Sequence, residues 1–508
     1  MTKSIPVVQL HHTDNVVIAR TNMPAGMSLG IGELRTSETV GSGHKIALKA
    51  IAKGEPIRRY GQIIGFASGP IAPGSHVHTH NCVMADFTRD YAPCSETKPT
   101  AYFNDPERAV FEGYRRGNGK SGTRNYLAVL TSVNCSATVA RYIARHFDEQ
   151  ILANYPNIDG VVALTHTTGC GMASSGDGYD AFQRTLWGHA SNPNIGGVLM
   201  VGLGCETAHL DLLIEAYGLK NGPLFHVYNI QNVGGTRHAI ERGVAALKEM
   251  LPAVNDVRRE PIPASELILA LQCGGSDGYS GFTANPALGY ASDLLVRHGG
   301  TAILSETPEI YGAEHLLTRR AVSQKVADKL IERIRWWEDY TERNKMNMNN
   351  NPSYGNKQGG LTTILEKSLG AAAKGGTTNL VDVLRYAEPV RERGLVFMDT
   401  PGFDPVSATG QVAGGANVMC FTTGRGSAYG NKPCPSIKIA TNSSLYERQF
   451  EDMDLNCGSI ADGSTSVEEM GKTIFSEVLA VASGKRTKSE QFGYGDNEFA
   501  PWQIGATM

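Results

Sequence analysis

The stretch Leu267-Ile268-Leu269-Ala270-Leu271-Gln272-Cys273-Gly274-Gly275-Ser276-Asp277 decides the fold class of this chain. It opens with five apolar residues in a row and closes with polar residues beside two glycines. A continuous apolar run of this length is typical of a strand buried on both faces, as in a parallel sheet covered by helices. The polar, glycine-containing end is typical of the turn that follows such a strand. The stretch therefore predicts an α/β fold.

The same pattern recurs before and after this stretch. Apolar runs that end in polar or glycine-rich turns occupy residues 126–133, 161–164, 198–201, 301–304, 395–398 and 418–421. Several lead into helical segments, such as SATVARYIARHF, for which Ser136 is the predicted N-cap. We therefore expect two α/β domains with largely parallel sheets, separated near the polar, proline-containing stretch 255–265.

The N-terminal part of the chain has a different pattern. Short β-rich runs fill residues 16–81 and are separated by turn pairs such as Lys53-Gly54 and Pro73-Gly74. Together these features predict a small β domain over residues 1–90, a linker over 91–110, a first α/β domain over 111–258 and a Rossmann-like α/β domain over 259–508. Within the last, the Asn-rich stretch 344–360 is predicted as a long loop, either a surface excursion or part of an active site.

Composition excludes several classes of function. The formal net charge is −3, with 47 basic and 50 acidic residues, so no broad positive field favours nucleic acid or an anionic membrane. The N-terminus lacks the apolar core of a secretory signal, and no segment reaches the ~20 apolar residues of a membrane span. We therefore expect a cytoplasmic protein that forms a homo-oligomer and whose partner is a small molecule. Nine cysteines, an odd number, indicate free thiols or metal thiolates rather than a disulfide scaffold.

Four cysteines fall at or just past predicted strand ends: Cys135, Cys170, Cys205 and Cys273. The carboxyl ends of parallel strands meet at one edge of a sheet, so these thiols are predicted metal ligands in a shared cleft. Iron–sulfur clusters take cysteine ligands, and a cluster with three of them keeps one iron open as a Lewis acid. The alternative is plain packing, because free cysteine is among the most buried residue types.

The histidines offer a second centre. His76, His78 and His80 alternate in HVHTHN, so on a strand their side chains would share one face within reach of one cation. His11 and His44, in the same domain, are further candidate metal ligands. Each is otherwise an ordinary surface or core histidine.

Charged residues near the strand ends suit an acidic substrate. Arg425 can make a bidentate contact to a carboxylate, and Lys357 can add a point charge. Asp277 and Glu306 are candidates to accept hydroxyl hydrogen bonds or to act as acid or base, although carboxylates near helix starts are commonly dipole partners. The polar residues completing the predicted substrate-binding set are Ser276, Asn285 and Asn356.

Motifs along the whole chain resemble one known family. They include GHKIAL from Gly43, RYGQIIG from Arg59, TTGCG from Thr167, GLGCE from Gly202, QCGGSDGYSGFTANP from Gln272, GNKQGG from Gly355 and TTGRGSAYG from Thr422. In order and content they are similar to the altronate dehydratase and galactarate dehydratase family. The resemblance implies an SAF-type N-terminal β domain, a Rossmann-like last domain, a requirement for Fe²⁺ or Mn²⁺, and a 2-keto-3-deoxy sugar acid as product.

The residues and the resemblance together predict a metal-dependent dehydratase of hexuronate catabolism. HVHTHN and PEIYGAEHLL resemble the altronate branch, which favours D-altronate as substrate. The predicted base is His44, Lys45 or His166, and Glu306 or Asp277 assists departure of the 3-hydroxyl. Alternatives are galactarate or a related acid as substrate, an iron–sulfur cluster in place of Fe²⁺, and a non-catalytic sugar-acid binding protein. A dinucleotide oxidoreductase is disfavoured, because no GxGxxG turn with a following acidic residue succeeds a predicted strand.

Overall fold

The computed structural model describes residues 6–508, except residues 86, 88, 220 and 221. The first five residues of the predicted β domain therefore lie outside the described part. That domain contains seven short strands: β1 Val7–Val8, β2 Val16–Ala19, β3 Lys45–Ala47, β4 Pro56–Arg59, β5 Gln62–Ala67, β6 His76–Val77 and β7 Cys82–Val83. They form two antiparallel sheets with strand orders β1-β2-β3-β6 and β4-β5-β7. The small β domain predicted from the turn-rich sequence is confirmed.

The middle part of the chain forms a four-stranded parallel sheet with order β11-β10-β12-β13. Its elements are β8 Val110–Arg115, β9 Ser121–Gly122, β10 Tyr126–Thr131, α1 Ala137–Arg145, α2 Glu149–Leu152, β11 Gly160–Leu164, α3 Asp177–Ala190, β12 Ile195–Gly202, α4 Leu210–Tyr217, β13 Phe225–Asn229 and α5 Thr236–Asn255. Every residue of β10 is buried, as its unbroken apolar run predicts. Helices α1 and α5 pack together on one face of the sheet.

The C-terminal part is built on seven parallel strands in the order β17-β18-β16-β15-β19-β20-β21. The seven strands are β15 Ile268–Cys273, β16 Thr301–Ser305, β17 Leu380–Leu384, β18 Leu395–Met398, β19 Val418–Thr423, β20 Ser436–Ala440 and β21 Leu455–Asn456. The short strand β14 Glu260–Pro263 precedes them and lies in a separate sheet with β8 and β9. From β15 the chain first builds one half of the sheet and then returns to build the other from β19. The connections that follow β15 and β19 therefore lead to opposite halves of the sheet. The space where these two connections begin is where open α/β sheets bind ligands.

Ten helices belong to the same part of the chain. They are α6 Ala284–Arg297, α7 His315–Thr318, α8 Gln324–Arg343, α9 Tyr354–Gln358, α10 Ile364–Ala372, α11 Asp404–Ala413, α12 Ser443–Arg448, α13 Gly458–Asp462, α14 Val467–Ala482 and α15 Lys488–Gln491. Helices α6 and α14 pack tightly against each other beside β19. None of the helices within the described residues is both long and apolar enough to cross a membrane. The predicted fold class, a β domain followed by α/β domains with parallel sheets, is confirmed.

The stretch 255–265, where the break between the α/β domains is predicted, contains β14, which pairs antiparallel with β8. Two local predictions are wrong. The Ser136 side chain does not cap α1, because its hydroxyl donates back to the carbonyl of Val133 at 2.9 Å. The Asn-rich stretch 344–360 is not a structureless loop, since it contains α9 with a capping box at Ser353.

Candidate active site at the seam between the β domain and the C-terminal domain

The loops that follow β15 and β19 meet at the carboxyl edge of the seven-stranded sheet. The backbone N–H of Gly424 donates to the carbonyl of Gly275 at 3.1 Å. A side chain on Gly424 would collide with the carboxyl group of Asp277, since its Cβ would lie 2.1 Å from Cγ. Glycine is thus required for the two loops to approach, and we call the edge where they meet the crevice.

The β domain closes over this crevice through direct backbone contacts. A Cβ on Gly278 would lie 2.0 Å from the carbonyl oxygen of Gly43, and one on Gly360 would lie 2.6 Å from the same atom. The N–H of Gly278 donates to the carbonyl of Gly359 at 2.8 Å. We call these four residues the glycine seam. It brings the β domain, the loop after β15 and the end of α9 together without intervening side chains.

A buried ion triad of Lys45, Arg59 and Glu366 lies beside the glycine seam and stabilises it. The Lys45 Nζ lies 2.9 Å from Glu366 and donates to the Gly360 carbonyl at 2.6 Å, while Arg59 contacts the other Glu366 oxygen at 2.6 Å. Burial alone would raise the pKa of Glu366, but the two cations lower it to about 2. Glu366 is therefore ionised. The Lys45 ammonium donates to Glu366 and to the Gly360 carbonyl, and burial lowers its pKa. The contacts of Lys45 do not support the prediction that it is the base.

Three histidines stand at the mouth of the crevice. His44 precedes β3, His76 begins β6, and His78 lies in the turn after it. One ring nitrogen of each histidine lies within 4.8 Å of a ring nitrogen of each of the other two. His44 Nδ1 lies 3.0 Å from His76 Nε2. The side chain of Asn81 holds this turn by accepting from the His78 N–H and donating to the His76 carbonyl. We call the three residues the histidine group.

The histidine group is neutral at physiological pH. Burial lowers the pKa of His44, and it lowers the pKa of His78 to about 4. For His76, burial together with repulsion from the neighbouring rings lowers the pKa to about 3. Neutral imidazole is the form that coordinates metal ions, so the low pKa values suit a metal site.

The predicted strand alternation explains this group only in part. Strand β6 ends at Val77, so a turn rather than a strand face brings His78 back to His76. The His80 ring is near, with its centroid 5.6 Å from that of His76, but it is not in the group. His11 lies apart, and its Nδ1 bonds the hydroxyl of Thr13 at 2.7 Å. The structure therefore does not place His11 with the other predicted metal ligands.

Two cations flank the histidine group. The Nε2–H of His44 donates to the carbonyl of Gln358 at 3.2 Å, and Arg425 donates to the Gln358 side chain at 3.3 Å. Lys357 is the neighbouring residue on α9. Within the described part of the chain, neither Arg425 nor Lys357 has a carboxylate at ion-pair distance. Their charges are available to an anionic ligand.

Asp277 organises the crevice. Its Oδ1 accepts from the backbone N–H groups of Tyr279 and Ser280, and its Oδ2 accepts from the Asn442 side chain at 3.0 Å. Burial raises its pKa, while these hydrogen bonds oppose the increase. Because its oxygens already hold the loops after β15 and β20, its contacts indicate a positioning role rather than the predicted proton transfer.

The predicted amide ligands also have structural partners. Asn356 donates to the Ser276 carbonyl at 2.8 Å and accepts from the Ser353 N–H, which fixes α9 above the loop after β15. Asn285 donates to the Gly370 carbonyl at 2.9 Å and accepts from the Thr422 hydroxyl at 2.6 Å. Both amides are buried and used. The remaining member of the predicted substrate-binding set, Ser276, is buried and lies in the loop after β15.

A second cluster of ionisable groups lies deeper, at the ends of β15 and β16. Ligand atoms of Cys273, Glu306 and Glu309 lie within 4.8 Å of one another. Lys374 Nζ lies 2.9 Å from the Cys273 sulfur and 3.4 Å from Glu306, while Lys367 lies 2.7 Å from Glu309. All five side chains are buried. We call them the buried acid cluster.

The buried acid cluster already contains its counter-charges. Burial, followed by repulsion from Glu309, raises the pKa of Glu306, and burial raises that of Cys273 to about 12. Glu306 adopts a left-handed backbone with φ 71°, and its Oε1 has no hydrogen-bond partner within the described residues. Lys374 and Lys367 supply the positive charge that a metal would bring. A divalent ion would have to displace Lys374, so the histidine group is the better candidate metal site.

Most of the buried acid cluster escaped sequence analysis. Glu309 follows Glu306 by three residues and offered a weak signal. Lys367 on α10 and Lys374 after it lie some sixty residues or more further along the chain, and no local pattern links them to β15 or β16. The same holds for Glu366, whose partners Lys45 and Arg59 belong to the β domain.

The structure separates the four predicted thiol ligands. Cys273 is buried in the C-terminal part, whereas Cys135, Cys170 and Cys205 are exposed at the edge of the four-stranded sheet. One cleft with all four thiols is not formed. His166 is buried at that second edge, where its Nε2–H donates to the Thr131 carbonyl at 2.9 Å and its Nδ1 accepts from the Thr168 N–H. With both ring nitrogens occupied, His166 has no free lone pair for the predicted role of base.

Comparison with known proteins places the whole chain in one family. Family models described as "Altronate/galactarate dehydratase SAF domain", "D-galactarate dehydratase/Altronate hydrolase, second domain" and "D-galactarate/Altronate dehydratase, C-terminal" match residues 5–85, 113–255 and 264–507. The chain is 40% identical over 502 residues to galactarate dehydratase (L-threo-forming) of Escherichia coli (strain K12), covering 96% of this chain and 94% of that protein.

Two altronate dehydratases are similar over almost their full length. The protein from Bacillus subtilis (strain 168) is 36% identical over 507 residues, and that from Escherichia coli (strain K12) is 35% identical over 506 residues. Each alignment covers 99% of both chains. The three consecutive family models and these full-length similarities show that the chain belongs to the altronate/galactarate dehydratase family, a family of hydro-lyases.

Proposed function

We propose that this protein is a metal-dependent dehydratase that converts a sugar acid to a 2-keto-3-deoxy acid in the crevice at the glycine seam. One observation carries the proposal: Gln358 contacts both the neutral histidine group, through His44, and the unpaired cation Arg425. Metal ligands and a carboxylate-binding cation thus flank one residue. This pairing is what elimination next to a carboxylate requires.

The cations bind the acid end of the substrate. Arg425 makes charge-assisted hydrogen bonds to the carboxylate, and Lys357 adds a second positive charge from α9. Because the seam has closed the crevice with backbone atoms, the carboxylate is held at its mouth, beside His44. The hydroxyl on the next carbon then faces the histidine group.

We propose that His44, His76 and His78 hold Fe²⁺ or Mn²⁺. A neutral imidazole set suits such ions, and no cation is bonded to these rings in the described structure. Bound there, the ion supplies Lewis-acid stabilisation for the negative charge that develops when the proton beside the carboxylate is removed. The chain's own contribution is to keep the three rings unprotonated and fixed by Asn81.

The proton-transfer roles follow from which groups remain available. Lys45 and His166 are buried. His44 also uses both ring nitrogens, Nδ1 towards His76 and Nε2 towards the Gln358 carbonyl, but it lies at the mouth of the crevice, which makes it the predicted base that a substrate can reach. Variants decide whether His44 binds metal or removes the proton: loss of turnover with full metal content assigns it as base. Burial and repulsion from Glu309 raise the pKa of Glu306, which is the direction a general acid needs, but the carboxyl group is fully buried beside Lys374. We therefore give it no contact with the substrate.

The proposed substrate is D-altronate, on the altronate-like histidine and PEIYGAEHLL motifs. Galactarate is a second candidate, supported by two unpaired cations, which suit a dicarboxylate, and by the 40% identity to a galactarate dehydratase. Both acids offer the same carboxylate and hydroxyl to the crevice.

A substrate panel tests the proposal. Metal-depleted protein is loaded anaerobically with Fe²⁺ or Mn²⁺ and incubated with D-altronate, galactarate and other aldonates and aldarates, and 2-keto acid is measured as its semicarbazone. We expect metal-dependent product, with kcat/KM ranking the two candidates. Binding of the acids without any 2-keto acid would show a non-catalytic binding protein instead.

A further inference from the structure

Three exposed thiols occupy neighbouring strand ends of the four-stranded sheet. Cys135 follows β10, Cys170 follows β11 and Cys205 follows β12, and all three are exposed free cysteines. Strand β10 lies between the other two. Free cysteine is among the most buried residue types, so three exposed ones on adjacent loops call for an explanation other than packing. We call them the thiol rim.

The loops that carry the thiol rim are bonded to one another. The N–H of Asn134 donates to the carbonyl of Thr168 at 3.0 Å, which ties the Cys135 loop to the Cys170 loop. The N–H of Ala208 donates to the carbonyl of Gly169 at 3.1 Å, which ties the Cys170 loop to the Cys205 loop. A Cβ on Gly169 would lie 2.1 Å from the Ser132 carbonyl oxygen, so these loops touch through their backbones. The three thiols stand on one connected surface.

A buried carboxylate fixes the Cys205 loop. Glu206 accepts from the N–H groups of Gly204 at 2.6 Å and Cys205 at 2.9 Å, and from the hydroxyl of Ser132 at 2.6 Å. Burial would raise its pKa, but these hydrogen bonds lower it below the ordinary value, so Glu206 is ionised. In addition, the Gln231 side chain donates to the Cys205 sulfur at 3.5 Å, so this sulfur already acts as an acceptor.

The donor set selects the class of ligand. Three sulfurs without a carboxylate or imidazole among them suit a soft metal centre. A single zinc ion at about 2.3 Å from each sulfur needs thiols in mutual contact. Among the described residues only two groups have ligand atoms within 4.8 Å of one another, and the rim thiols are in neither. An iron–sulfur cluster, whose cysteines bind separate irons, accommodates wider spacing.

We propose that Cys135, Cys170 and Cys205 bind a [4Fe–4S] cluster at the edge of the four-stranded sheet, leaving one iron without a protein thiolate. This site is separate from the histidine group, which lies on the β domain. Assembly of the cluster in its 2+ state uses two ferrous ions, two ferric ions and four sulfides, and each of the three thiols loses a proton to become a ligand. The proposal does not depend on the sugar-acid activity, and its test is spectroscopic.

The test uses the whole chain, purified without oxygen and reconstituted with equal amounts of ferrous and ferric iron, sulfide and a thiol reductant. We expect a brown protein with about four irons and four sulfides per chain. The variants C135S, C170S and C205S should each lose the colour and most of the iron. C94S is the matched control, because Cys94 is also a free, partly exposed thiol but lies outside the rim.

Three outcomes would overturn the proposal: a colourless protein after reconstitution, full colour in the triple variant, or a bound metal without sulfide. Circular dichroism of the variants confirms that loss of iron is not loss of fold, which exposed Cys→Ser changes should not cause. The variant H76A separates this proposal from the proposed function. It should retain the chromophore while losing turnover, whereas failure of the cluster alone would leave the colour absent in every variant.

Discussion

The carboxyl edges of the two parallel sheets begin from the same sequence pattern and end in opposite settings. At the seven-stranded sheet the β domain and α9 cover the strand ends, so Asp277, Glu306 and Glu366 are buried. At the four-stranded sheet the thiols of Cys135 and Cys170 are exposed. At the covered edge Glu306 and Glu366 are paired with lysine or arginine and Asp277 accepts from backbone, hydroxyl and amide donors, while the open edge presents soft ligands to solvent. Whether other elements cover the strand ends, and not the residue types at those ends, therefore decides whether the side chains are buried or exposed.

The largest expected effect comes from removing the anion that holds the cover. E366Q leaves Lys45 and Arg59 as two buried cations without a partner, and breaking a buried pair in this way costs about 3–5 kcal/mol. We expect the urea midpoint of unfolding to fall accordingly. The control E477Q breaks the more exposed pair with Lys485 and should change the free energy of unfolding by less than about 1 kcal/mol. Equal effects of both changes would show that the triad does not hold the seam.

The next effect concerns the histidine group at the covered edge. H76A removes one ligand, and because Lewis-acid stabilisation is worth several kcal/mol, we expect turnover to fall by about 10³-fold together with bound metal. H80A is the matched control, since its ring is near His76 but outside the group. Bound Mn²⁺ and kcat of both variants, loaded with Mn²⁺ in the absence of iron and sulfide, check this without a contribution from the thiol rim. Retention of Mn²⁺ by H76A would place the ion elsewhere.

A smaller effect is expected at the cation. R425A removes a charge-assisted hydrogen bond, worth about 1.5–3 kcal/mol, so kcat/KM should fall by about 10- to 100-fold. R425K should recover part of it, because lysine keeps the charge but not the planar fork. Replacing Arg237, an exposed arginine on α5, should leave kcat/KM unchanged. An unchanged R425A would remove Arg425 from the substrate site.

The smallest effect is a pH slope at the open edge. Burial lowers the pKa of His166 to about 4, so the folded protein keeps it neutral while the unfolded chain protonates it near 6.5. The unfolded state therefore binds one more proton between these values, and this histidine lowers the free energy of unfolding by about 1.4 kcal/mol per pH unit as pH falls from 6.5 to 4. In H166N the free energy of unfolding should depend less steeply on pH between 4 and 6.5, by the amount that one proton contributes. An identical slope in H166N would mean that His166 is protonated in the folded state.

Strand positions at both edges were predictable, because burial on two faces leaves an unbroken apolar run. The predicted run 395–398 coincides with β18, and the predicted strand at 161–164 differs from β11 by one residue. Helix α9 was missed because Asn and Gly give no apolar period, and its stability comes from the Ser353 capping box and the bond from Asn356 to Ser276. Local sequence carries the first kind of information and not the second.

The site was predictable in its chemistry but not in its grouping. The alternating histidines predicted a metal site, but His44 lies next to His76 only because β3 pairs with β6. Lys45 looked like a base because its partner Glu366 lies 321 residues away, and no spacing rule reveals such a pair. Burial and partners are properties of the folded chain, so the role of a titratable group follows from them rather than from its neighbours in sequence.

The glycine seam also limits how this protein can diversify. A Cβ at Gly278 or Gly360 would collide with the backbone of Gly43, and at Gly43, where φ is 81°, it would crowd the Tyr279 ring, so these positions admit no gradual remodelling. Under the proposed function, new substrate preferences would arise at residues beside the seam, such as Lys357 and Arg425. To alter specificity, the residues beside the glycine seam should be randomised while the seam itself is kept constant.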